Sequence, residues 1–82
     1  MPYINQDAID QLRRGKPAST PGELNYMLTL HIKDYWSRTG NYQGINDIVG
    51  ALEGAKLEFY RRIAVPYENK KIDENGDVYE AS

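Results

Sequence analysis

Six residues between positions 56 and 70 carry the side-chain types that could hold an anion. In "KLEFYRRIAVPYENKK", Lys56 and Tyr60 stand four apart, Arg61 and Arg62 follow directly, and Tyr67 and Lys70 lie just beyond. Arginine offers a fork of N–H donors that grips phosphate oxygens in pairs, and a tyrosine ring offers a face on which a base can stack. Such a set suits recognition of a phosphate-bearing small molecule rather than bond-making. The competing reading is a solvated helix laced with ion pairs, since Glu58 lies four before Arg62 and Glu53 three before Lys56. Seven tyrosines in 82 residues favour a recognition surface, where tyrosine is enriched.

Catalytic chemistry finds little to work with. The chain has no cysteine, which removes thiol catalysis, disulfides and thiolate metal sites. Its one histidine, His31, falls on or beside an apolar helical stripe and reads as a packed side chain with its N–H satisfied. Ser37 and Asp34 share that helix in no nucleophile-elbow context. The twelve acids all fall at positions that read as exposed, so no acid/base pair can be recognised. In "DENGD", Asp73, Asn75 and Asp77 alternate as in a calcium loop, but that loop needs glycine sixth and glutamate twelfth. Here the sixth residue is Val78, and the twelfth falls beyond Ser82. No metal and no cofactor are expected.

The elements that must position these residues are helical. "NQDAIDQLRR" has Asn5 as N-cap, Asp7 and Asp10 early, Arg13 and Arg14 late, and a narrow stripe of Ile9 and Leu12 extended by Ile4 and Ala8. Gly15 ends it, which gives a first helix over about residues 5–14. "TPGE" is a capping box with proline at the first helical position: Thr20 caps and Glu23 stands third. The second helix, 21–39, carries Leu24, Leu28, His31 or Ile32, and Tyr35 at spacings of three and four, flanked by Met27 and Trp36, and closes at Gly40. Asn41 can cap a third helix over 42–64 with the stripe Ile45, Val49, Leu52, Phe59 and Ile63, which Pro66 should stop. In the remaining arm, 66–82, Asn75-Gly76 signals a hairpin turn that would set Ile72 opposite Tyr79 and Lys71 opposite Glu80.

The third helix contains a puzzle. Gly50 and Gly54 lie one turn apart, and each glycine in a helix interior costs about 0.8–1.0 kcal/mol relative to alanine. With Ala51 and Ala55 they make a ridge of small residues on which another helix could seat closely, a geometry best known in membranes. About 80 Å² of additional buried apolar surface would offset both glycines. Within the chain, helix 2 could supply it through Trp36 or Tyr35; between chains, another subunit or a ligand could.

Size bears on that choice. A domain this small is marginally stable without disulfides, a metal or oligomerisation; the lack of cysteine excludes disulfides and thiolate metal sites, and a single histidine argues against a structural zinc, so self-association is expected. The net charge of −2 argues against a dedicated nucleic-acid binder, which shows a basic stripe. Residues 1–41 hold five basic against four acidic side chains and residues 42–82 hold five against eight, so the acidic surplus lies towards the C-terminus. No apolar run approaches the roughly 20 residues of a membrane span. "MPYINQD" has neither the basic nor the apolar region of a secretion signal, so a cytoplasmic protein is expected.

The strings "KLEFYRR" and "ENGDVY", with "GELNYMLT" upstream, give the chain over roughly residues 21–79 a resemblance to a family of small proteins of unknown function found in tailed phages, prophages and bacteria. The resemblance implies a genomic setting, with action in the host cytoplasm if phage-encoded, and transfers no catalytic residue. The expected architecture is one all-α domain over 1–82: three helices, the long third central, and a C-terminal hairpin or extended arm. The expected function is non-enzymatic: a self-associating binding protein that sequesters a small anionic host ligand, such as a nucleotide signal, at a site shared between subunits. Its rival is a factor that binds a host protein or serves structurally, with no small ligand.

Overall fold

The computed structural model describes residues 4–79 of the chain. They form four α-helices, α1 (Gln6–Arg13), α2 (Pro21–Thr39), α3 (Tyr42–Phe59) and α4 (Val65–Asn75), with a π-helical turn at Tyr60–Ala64 joining the last two. The three expected helices are present, and the third is the long one only as a run that continues through the π turn and α4, from Tyr42 to Asn75. The chain divides into two units, Met1–Ile48 and Val49–Ser82. Among the described residues no helix is long and apolar enough to cross a membrane.

In the first unit, local chemistry sets each helix end. Asn5 accepts the Ala8 N–H at 2.9 Å and so occupies one of the donors that a helix start leaves free. Gly15, at φ 105°, closes α1 through bonds from its own N–H to Leu12 and from Lys16 N–H to Gln11, the paired pattern of a left-handed C-terminal cap. At the start of α2, Thr20 Oγ1 accepts the Glu23 N–H at 3.1 Å. The Glu23 carboxylate reaches back one residue further than a standard capping box requires, to the N–H and hydroxyl of Ser19 at 3.0 and 3.2 Å. Gly40, at φ 54°, ends α2, and Asn41 Oδ1 accepts the Gly44 N–H at 2.8 Å to begin α3.

α1 packs on α2, and the core this makes is small. Leu12 and Tyr26 are 3% and 6% exposed, with Ala8, Ile9, Met27 and Leu30 half-buried. Arg13 Nε donates to the Tyr26 hydroxyl at 2.9 Å and ties the end of α1 to α2. Two expectations are corrected here. The buried side of α2 is Glu23, Tyr26, Met27 and Leu30, whereas Leu24, Leu28, His31 and Tyr35 are exposed. α2 therefore has two faces of helical period, and α1 covers the one that begins with an acid. Glu23 is accordingly buried, because its cap bonds to Ser19 replace the water that it loses.

The second unit is one helical run. The backbone does not stop before Pro66, as expected from its missing N–H. It stays helical through Phe59, Ala64 and Val65 to Asn75. The π turn is the physical reason. A proline ring inside a regular helix collides with the carbonyl four residues back, here that of Arg62, and removes one bond. At Tyr60–Ala64 the bonding shifts by one residue, with Val65 N–H bonded to Tyr60 O, so the widened turn admits Pro66 in the first turn of α4. The hairpin is likewise not formed: Asn75 is helical, and Gly76, at φ 85°, bonds to Ile72 O at 2.7 Å as the helix cap. Residues 80–82, which include the expected partner of Lys71, lie outside the described residues.

Candidate functional site

The six candidate anion-binding residues lie along the helical run of the second unit, all exposed. Local carboxylates engage three of them. Lys56 Nζ lies 3.8 Å from Glu53 Oε1, Arg62 Nε lies 3.1 Å from Glu58 Oε1, and the Tyr60 hydroxyl donates to Glu68 at 3.3 Å. Tyr67 carries the Lys71 ammonium 5.6 Å from its ring centre, and Lys71 also reaches Glu74 at 3.4 Å. Among the described residues Arg61 and Lys70 make no ion pair. An incoming anion would meet Arg61 and Lys70 directly but would have to displace a carboxylate from Lys56 or Arg62. Exposed pairs of this kind are worth only about 0–1 kcal/mol, so displacement is cheap.

The ridge of small residues is exposed. A Cβ added at Gly50 or Gly54 would meet nothing within 4 Å, and Ala51 and Ala55 are exposed. Tyr35, one of the two side chains expected over the glycines, instead donates to Asp47 Oδ2 at 2.9 Å. Helix geometry explains the outcome. At about 100° per residue, Gly50 and Gly54 each fall about 160° around the helix from Leu52, opposite the apolar stripe rather than within it. Among the described residues no side chain therefore lies against the glycines to offset their cost.

The stripe itself is the more consequential surface. Val49, Leu52, Phe59 and Ile63 share one face and are 61%, 40%, 64% and 57% exposed. Lys56 interrupts that face midway, four residues after Leu52 and three before Phe59. The spacing 49, 52, 56, 59, 63 alternates three and four residues, the heptad pattern of a helix that packs against another helix along a seam. Sequence periodicity had marked the stripe. What it could not show is that these side chains are 40% to 64% exposed.

Other candidates are placed as follows. His31 is exposed beside Leu24 and Leu28, not packed as expected. Asp73 and Asn75 belong to the last turns of α4, and Asp77 follows its cap, so the alternating acids do not form a loop. The Tyr60–Glu68 bond had no signal in the sequence, because eight residues is not a spacing at which regular helices bring side chains together.

A family model described as Domain of unknown function (DUF6899) matches residues 1–78, and the chain belongs to that family. No curated protein and no solved structure matches the chain.

Proposed function

We propose that this member of the family is a non-enzymatic, self-associating helical protein, in which α3 and the π turn of one copy bind a second copy along the face of Val49, Leu52, Phe59 and Ile63. One observation carries the reading: four large apolar side chains at heptad spacing are between 40% and 64% exposed. Burying each remaining half would contribute on the order of 1 kcal/mol. A helix with no partner is marginal in water, so association also supports the helix itself. A phage or prophage setting with action in the host cytoplasm belongs to this reading and rests on the resemblance of "KLEFYRR" and "ENGDVY" alone.

Capture of an anionic ligand is a second reading, favoured by Arg61 and Lys70, which no carboxylate engages among the described residues. Light scattering over a range of concentrations tests the first reading. A mass that rises above that of the 9.4 kDa chain, and falls back in Phe59→Asp, supports it. A monomer throughout overturns it. A thermal-shift panel of mononucleotides and cyclic dinucleotides at low salt tests the second. Saturating ligand at 100 times its dissociation constant adds about 2.7 kcal/mol, and the shift should vanish in Arg61→Ala.

A further inference from the structure

We infer that the two copies meet antiparallel along α3, with the two-fold axis at the level of residue 54. This rests on the self-association proposed above and adds the direction and register of the partner. In heptad terms Val49 and Lys56 occupy one core position of the seam and Leu52 and Phe59 the other, with Ile63 following in the π turn. A parallel two-fold dimer must be in register, since each residue then faces its own copy. That arrangement sets the Lys56 ammonium against a second Lys56 at the centre of the seam, like charges in a place that excludes water. Its flanking layers would be Val49 on Val49 and Phe59 on Phe59, one underfilled and one overfilled.

The antiparallel arrangement removes both faults. Core positions of one kind then face those of the other, so Val49 packs on Phe59 of the second copy and Leu52 on Lys56 of the second copy, each layer occurring twice by symmetry. Small faces large, and the Lys56 methylene stem covers leucine while its ammonium reaches the edge of the seam. An acid waits there: Glu53, already 3.8 Å from Lys56 of its own chain, lies at the level where Lys56 of the second copy emerges. A single lysine in a heptad core is a known way of fixing register and orientation at some loss of stability. Ala55, next to the axis, is small enough to let the helices approach.

The seam is short. With the lysine stems, the eight apolar side chains of the pair would bury on the order of 1,000 Å², the low end for specific interfaces. The dimer is thus expected to dissociate on dilution.

Since the chain has no cysteine, single-cysteine variants report orientation cleanly. Val49→Cys and Phe59→Cys, one of them lengthened by a short inert tag, are oxidised alone and as a mixture. The expected result is a disulfide-linked mixed dimer, with neither variant linking to itself. Each variant linking to itself overturns the antiparallel register but leaves self-association standing, and so does a dimeric mass with no link in any sample. A monomeric wild-type chain at every concentration overturns the underlying reading as well. A second measurement does not depend on cysteines: wild type is mixed with Lys56→Glu. A parallel seam would favour the mixed dimer, because lysine then faces glutamate. The antiparallel seam predicts no such preference, and a strong one overturns it.

Discussion

The Tyr60 hydroxyl donates to both carboxylate oxygens of Glu68, at 3.3 and 3.4 Å, across eight residues of chain. In a regular helix, residues eight apart are turned about 80° from one another. The π turn between them takes up one extra residue, so Tyr60 and Glu68 behave as if seven apart and return to one face. The bond is thus a consequence of how the helix accommodates Pro66, and a local irregularity resets which side chains meet beyond it.

Pro66→Ala should undo that reset. Alanine supplies the missing N–H and lacks the ring that a regular helix cannot hold, so α3 and α4 should merge into one α-helix. Proline in a helix interior costs about 3 kcal/mol, and relief of part of that should raise the melting temperature and helical circular dichroism even as Tyr60 loses Glu68. A lower melting temperature would show that the π turn has another cause.

The same substitution should have opposite signs at two glycines of α3. Gly54→Ala meets open space and should stabilise the chain by up to about 1 kcal/mol through helix propensity. At Gly44 a Cβ would fall 2.9 Å from the Thr39 Cβ, where α2 turns into α3, so Gly44→Ala should destabilise. Thermal or urea unfolding of the two variants gives the comparison, and a stabilising Gly44→Ala would remove the tight corner from the account.

Glu23 should give the chain an acid-sensitive step. The Ser19 backbone N–H holds its carboxyl below the ordinary value of 4.5, helped by the Ser19 and Thr20 hydroxyls and the Lys16 charge and opposed by desolvation. Its folded-state value lies below its unfolded one. Its contribution is therefore present above the unfolded value and lost as pH falls through the folded one. Wild type should lose stability on acidification below about pH 4.5, and Glu23→Gln should be less stable at neutral pH yet lose less there. Equal acid sensitivity in the two proteins would exclude Glu23 as a source.

Leu12 and Leu52 should respond differently to truncation. Leu12 is buried between α1 and α2, so Leu12→Ala should cost about 2–5 kcal/mol at any protein concentration. Leu52 is 40% exposed and proposed to be covered only by a second copy. Leu52→Ala should then weaken stability at concentrations where the dimer forms and have little effect on dilution. A concentration-independent loss at Leu52 would mean that the residue acts within its own chain.

Sequence by itself determined what neighbouring residues settle. Asn5, Thr20 and Asn41 begin helices, and Gly15 and Gly40 end them, because a cap is a bond spanning three to five residues. It also determined the apolar face of α3, which follows from helical period. The C-terminal signals failed because they are degenerate. Positive φ at Gly76 serves a helix cap as well as a hairpin turn, and Pro66 stops a regular helix but not one that widens into a π turn. Only tertiary structure decided which face of α2 is covered. Leu24, Leu28 and Tyr35 were the more apolar choice, yet α1 lies over Glu23, Tyr26 and Met27. Periodicity tells which side chains share a face. Burial depends on where the short linker lets a second helix lie, and a carboxylate can go inside where Ser19 supplies its hydrogen bonds.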